Sequence, residues 1–278
     1  MSDTDNTRSP RTLSRTLILV LVTAAFVFPV YWTLSLSVKP RGFMFSIPPT
    51  WLYPPIWDHF AAIFGNGDFI RNIVNSLILA TTSTLLVVLV GTPAAYSLAR
   101  LGPKRKDDLM MFVLGSRMAP PIALAIPFFL IYQKLGLLET HLGLIIAYMS
   151  FNLSFYVWLL AVFSRDIPAD LEGAGFADGY GPTYVFFRVM LPLMLPSIIA
   201  TAVLVFIFAW NEFLFALILG GSAAETLPVA ISRFITPAGV QFGPLAALGT
   251  IAVLPVAILV LALHRYIVRG LSMGAVKG

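Results

Sequence analysis

Asp166, Asp170, Glu172 and Asp178 crowd one polar stretch between Arg165 and Pro196, the longest such interruption deep inside an otherwise apolar sequence. Carboxylates this close can supply directional hydrogen bonds. Acid–base catalysis would also need a convergent second group, and His59, His141 and His264 are far apart in sequence and lack metal-ligand spacing. The acids are separated by small residues, Ala169, Gly173, Ala174, Gly175 and Ala177, which let another surface approach closely. Pro168 stands where a helix can begin, and Ala169 to Ala177 supplies about two and a half turns. Gly179 and Gly181 stop that helix, and Pro182 starts another that leads to Leu191-Pro192. By composition alone the stretch reads as a solvated loop between two spans.

The elements holding this loop follow from composition. Of 278 residues, 58% are hydrophobic and 11% charged, and the mean hydropathy is +0.88. Soluble domains carry about twice that charge, so the chain is expected to be an all-α, polytopic membrane protein. Six apolar runs are expected as spans: 16–38, 70–98, 109–132 (broken at Pro120-Pro121), 142–163, 193–219 and 244–263. Between the first two lies a proline- and aromatic-rich segment suited to a membrane interface, with Asp58 placed to cap a short helix, His59 to Phe64. The expected division is a tail at 1–15, a membrane domain at 16–264 with the polar loop at 165–192, and a tail at 265–278. An even number of spans puts both tails on one side. That side, with the loops after spans two and four, holds twelve basic residues against five opposite (Lys39, Arg41, Arg71, Lys134 and Arg233). The imbalance predicts cytoplasmic termini and a cytoplasmic polar loop. The +5 net charge does not indicate nucleic acid, because the basic residues sit at span ends rather than in one patch.

Polar residues inside spans point to a pathway or to helix–helix bonds, since lipid penalises them. Asn72 and Asn75 share a helix face, and Asn211 and Glu212 lie late in the fifth run. These four are the candidate solute path. Arg117 is expected about 12 Å and Glu212 roughly 24 Å from the cytoplasmic helix ends, a stagger that argues against an ion pair. Gly270-Leu271-Ser272-Met273-Gly274 satisfies a serine-hydrolase pattern, but it follows a span and no strand precedes it. Asn152-Leu153-Ser154 fits a glycosylation pattern inside a span and is discarded. There is no catalytic residue set, no metal site and no phosphate-cradling G-x-x-x-x-G-K-[ST] stretch, so energy must come from a partner. Cysteine is absent.

The polar stretch resembles the coupling loop, or EAA loop, of binding-protein-dependent ABC importer permeases. Glu172, Ala174, Gly175, Asp178, Gly179, Phe186, Leu191 and Pro192 occupy matching positions, whereas Gly173 and Gly175 make the helix weaker than an alanine-rich version and Tyr180 follows Asp-Gly where alanine is usual. Asn75-Ser76-Leu77, Ala95-Tyr96-Ser97-Leu98-Ala99-Arg100, Trp210-Asn211-Glu212-Phe213-Leu214 and the tail Gly270 to Gly278 are similar to carbohydrate-type members of the maltose branch. The resemblance implies ATPase contacts through Asp170, Glu172, Ala174, Gly175, Asp178, Gly179, Pro182, Phe186 and Pro192, and through Gly274 and Lys277 in the tail. It implies a bacterial inner-membrane permease for a sugar, polyol or related solute, working by alternating access. Its partners would be an ATPase dimer that binds ATP and Mg, a second permease, an extracytoplasmic binding protein and lipid. The alternatives are an ABC permease for a non-carbohydrate solute, a gradient-driven secondary transporter or channel, and an intramembrane enzyme.

Overall fold

A computed structural model describes residues 10–100 and 103–273. In chain order the helices are α1 (Pro10–Val38), α2 (Arg41–Met44), α3 (Asp58–Phe64), α4 (Gly67–Arg100), α5 (Pro103–Ser116), α6 (Pro121–Leu135), α7 (His141–Ser164), α8 (Asp170–Ala177) and α9 (Pro182–Val185). A π-helical turn, Phe186–Met190, runs into α10 (Leu191–Trp210), followed by α11 (Leu214–Leu219) and α12 (Leu227–Ser232). A two-residue antiparallel hairpin, β1 (Ile235–Thr236) and β2 (Gly239–Val240), precedes α13 (Phe242–Met273).

Five helices are long and apolar enough to cross a membrane, and the bent pair Asp107–Ser116 and Pro121–Leu135 makes a sixth if taken as one broken span. The break falls at the expected prolines and turns the chain by 77°. Proline cannot donate a backbone N–H and clashes with the preceding turn. The fifth span differs from expectation, running from Pro182 to Trp210 rather than on to Leu219. Its end is chemical. The Glu212 carboxylate accepts the N–H groups of Phe215 at 3.0 Å and Ala216 at 3.1 Å, so it caps α11 instead of continuing α10. The π turn has a similar local cause. Pro192 has no N–H to return to the Arg188 carbonyl, and Leu191 bonds back to Phe186. Nearer the N-terminus, Asp58 is the first residue of α3 rather than its cap, and the cap position is taken by Trp57.

The chain divides into two compact units. One comprises residues 1–66 and 234–253. Within it, Lys39 is only 1% exposed, its ammonium 5.2 Å from the Trp32 ring centre and 4.8 Å from that of Tyr53. The Tyr53 hydroxyl bonds Ser35 Oγ at 2.7 Å, which fastens the proline-rich segment to α1. His59 is buried and packs on Gly243, where a side chain would collide with the imidazole.

The other unit comprises residues 67–233 and 254–278. Its centre is α4 packed on α7, with α10 laid against both. Val87, Ala95 and Leu98 of α4 meet Tyr156 and Leu160 of α7 and Met194 and Val205 of α10 in a buried core. Close approach is set by Gly91, where an added Cβ would stand 2.5 Å from the Tyr156 ring. The Tyr156 hydroxyl is bonded to Thr92 Oγ1 at 2.8 Å. Small residues at a crossing are the usual device when lipid removes the hydrophobic drive between helices.

Candidate functional site

The polar loop folds as a helix with a defined end. Asp170 and Glu172 lie in the first turn of α8, where carboxylates favour the positive end of the helix dipole. At the other end the Gly179 N–H bonds the Phe176 carbonyl at 3.0 Å and the Tyr180 N–H bonds that of Gly175 at 3.1 Å. That pair of bonds is a Schellman motif, which places its C′ residue in the left-handed region. Gly179 is that residue, with φ +86°. Asp178-Gly179 therefore encodes the bend. Beyond it, Tyr180 and Tyr184 stack with ring centres 4.3 Å apart.

The faces of α8 are not equivalent. Glu172 and Gly175 point inward and are buried, whereas Asp170, Leu171, Gly173, Ala174, Phe176, Ala177 and Asp178 are exposed. Gly175 lies against Val185, whose Cγ2 would stand 3.0 Å from a Cβ there. The Glu172 carboxylate forms an ion pair with Arg100 Nε, and its other oxygen accepts the Tyr96 hydroxyl at 3.0 Å. Arg100 also donates to the Ile167 carbonyl at 3.3 Å, and the Tyr96 ring packs on Phe186 at 4.9 Å. The residues expected to face an ATPase thus separate. Asp170, Ala174, Asp178, Gly179, Pro182 and Pro192 are exposed, while Glu172, Gly175 and Phe186 are buried and hold the loop to its own chain. The resemblance grouped all of them as ATPase-coupling residues without assigning them to faces. The i, i+3 spacing of 172 and 175 turns these two to the opposite side. Gly274 and Lys277 lie outside the described residues.

A cavity of about 200 Å³ opens where α5 breaks from α6, lined by Arg117, Tyr148, Phe151, Asn152, Phe208 and Glu212, among others. The Arg117 guanidinium lies between the rings of Phe155, at 4.6 Å, and Phe208, at 4.8 Å. Tyr148, 2% exposed, sets its hydroxyl beside the Glu212 carboxylate, short of hydrogen-bond geometry. The stagger expected between Arg117 and Glu212 does not keep them apart: Arg117 stands in the break between α5 and α6, where the chain turns by 77°, and it lines the same cavity as Glu212. No ion pair joins the two among the described residues.

The other candidate path residues go elsewhere. Asn211 is exposed and donates to the Ile207 carbonyl at 2.8 Å. Asn75 donates to the carbonyls of Ala223 at 3.2 Å and Glu225 at 2.9 Å, and its oxygen meets His141 Nε2 at 2.8 Å. Asn72 reaches the Glu225 carboxylate at 3.2 Å, and Ser76 Oγ accepts the Leu227 N–H at 2.7 Å. Glu225, buried, faces Arg233 across 2.7 Å, a contact of charges rather than an aligned hydrogen bond. The asparagines of α4 hold the segment 223–227 through their amides. Sequence reasoning missed Arg100 and Tyr96 as partners of Glu172, although their i, i+4 spacing puts them on one helix face at the end of a span. It also missed Glu225, Tyr148 and Asn152; a lone acid in a loop and a tyrosine in an apolar run carry no distinguishing pattern.

Comparison with known proteins accords with this geometry. The chain is 36% identical over 278 residues, covering 100% of both sequences, to "Probable ABC transporter permease protein y4oR" of Sinorhizobium fredii. It is 39% identical over 266 residues, 93% of this chain and 95% of the other, to the trehalose transport system permease protein SugB of Mycobacterium tuberculosis. A solved bacterial ABC transporter involved in the import of the acidic polysaccharide alginate superposes with a TM-score of 0.71 at 16% identity, over 96% of this chain and 99% of that one. Residues 87–273, which carry α8, the cavity and the helices that frame them, match the binding-protein-dependent transport system inner membrane component family, and the chain belongs to that family.

Proposed function

We propose that this chain is one of two permease subunits of an ATP-driven sugar importer, with α8 seated in a cleft of a separate ATPase dimer. The observation that carries the docking is the division of α8. Glu172 and Gly175, facing inward, are consumed within the chain, while Ala174 and Ala177 on the outward side, and Leu171 and Phe176 flanking the buried pair, stay exposed, apolar surface that nothing among the described residues covers. ATP and Mg are bound by that dimer, and its closure moves α8 as a rigid body, turning the spans between inward-facing and outward-facing states. Gly274 and Lys277 add a second contact through the tail. The twelve-to-five basic imbalance supports cytoplasmic termini in a bacterial inner membrane. A soluble extracytoplasmic binding protein delivers the solute.

Sugar as the solute class is supported by the trehalose and alginate systems to which the chain is similar. The cavity supports it chemically. Arg117 and Asn152 can donate to hydroxyls, Glu212 and Asn152 can accept, and Phe151 and Phe208 offer apolar ring faces. A cysteine at position 174, placed in the assembled transporter, is expected to cross-link to the ATPase, and Ala174→Arg to abolish solute uptake while the subunits still reach the membrane. Normal uptake by Ala174→Arg, or labelling of α8 from the outside, would overturn the docking.

A further inference from the structure

An eight-residue helix such as α8 is too short to hold itself, so what it drives depends on what grips it. Two contacts do so. On one side Gly175 rests on Val185 at the start of the fifth span. On the other, Arg100 and Tyr96, one turn apart on α4, hold the two oxygens of Glu172. Arg100 uses its remaining reach on the Ile167 carbonyl, three residues before α8, so the lead-in segment and the helix itself are gripped together. Glu172 is 7% exposed; removal of Arg100 leaves a buried, unpaired charge, which costs far more than loss of a surface pair.

We infer that Arg100 and Tyr96 are positioning residues that make α8 and α4 move as one body, so that α4 carries the ATPase stroke across the membrane. This rests on the docking proposed above. α4 is continuous from Gly67 to Arg100, with Pro93 inside it. From Arg100 back to Asn72 it spans about 42 Å at the rise of an α-helix. At that far end Asn72, Asn75 and Ser76 hold the segment 223–227. A displacement gripped at Glu172 therefore reaches a loop on the opposite side without passing through the solute cavity. Between the ends, Ala95 and Leu98 of α4 are locked into the core with Tyr156 and Leu160, so the rod does not slide freely past α7.

The experiment uses the complete transporter, with both permeases and the ATPase, in proteoliposomes, and compares solute moved per ATP hydrolysed. Arg100→Gln should lower that ratio by about tenfold or more, the order expected for loss of one partner of a buried pair. Arg100→Lys, which keeps the charge but loses the fork, should fall between Gln and wild type, as should Tyr96→Phe. The exchange Arg100→Glu with Glu172→Arg should recover part of the loss, a recovery that packing alone would not give. Spin labels on α8 and α4 should keep one distance through the ATP cycle in the wild type and broaden in Arg100→Gln. An unchanged ratio in Arg100→Gln, with the position-174 cross-link to the ATPase intact, overturns the clasp and leaves the docking standing. Loss of that cross-link in an otherwise wild-type chain overturns the docking, and the clasp with it.

Discussion

Asn75→Ala separates the two roles open to the polar end of α4. Asn75 is 4% exposed, and its amide makes three contacts, to the Ala223 and Glu225 carbonyls and to His141. An intramolecular hydrogen bond contributes about 1 kcal/mol net in soluble proteins and about 0.6 kcal/mol on average between membrane helices. Three of them make the substitution cost about 2–3 kcal/mol. At 1.36 kcal/mol per tenfold, that raises the open fraction of the 223–227 segment by roughly 30- to 150-fold. Hydrogen exchange on the purified complex reads this directly. The Leu227 amide, bonded to Ser76 Oγ, lies in the same segment and should lose protection by that factor. Asn75→Asp should lose more, because it keeps an acceptor toward His141 but sets carboxylate oxygen against two carbonyls that now receive N–H groups. If Leu227 protection is unchanged in Asn75→Ala and solute uptake collapses, the loop-holding reasoning is wrong and Asn75 acts on the solute.

Gly91→Ala should destabilise the α4–α7 crossing by about 1–3 kcal/mol, since the new methyl meets a Tyr156 ring that its bond to Thr92 keeps from swinging away; thermal unfolding in detergent measures it. Burial holds His59 below its ordinary value, nearby Arg41 lowers it further, and Asp58 opposes both. The folded pKa is thus below the unfolded value near 6.5. The stability this contributes is present above 6.5 and is lost as pH falls through the folded value. Proteolysis of residues 41–66 should therefore accelerate on acidification below that point in the wild type, and the acceleration should be absent from His59→Gln.

Some of this molecule is written in local chemistry. The apolar runs give the spans because a bilayer leaves a backbone no other partners. The double proline at 120–121 marks the break, and Asp178-Gly179 marks the bend after α8, since each fixes or frees a backbone angle within a residue or two. What was illegible is convergence. Asn75 meets a carbonyl 150 residues away, and no spacing within either segment announces it. Arg117 and Glu212 share a cavity although counting along each helix separates them in depth, because a residue count gives distance along an axis and not the direction a bent chain takes.

Glu172 shows where residue type stops deciding function. Its position in the loop motif and its charge fit a contact with a partner subunit and an internal brace equally well. The helix period alone puts it on the same side as Gly175 and opposite Ala174, but the period cannot say which side is covered. That is settled by Arg100 and Tyr96, on another helix, one turn apart and both within reach of the carboxylate. A buried acid whose two oxygens are each held by a donor of its own chain has little left to offer a partner. On the docking proposed above, the recognition surface of α8 is its small and apolar residues, with the acids at 170 and 178 at its two ends, and the motif's glutamate passes on the force which that surface would receive.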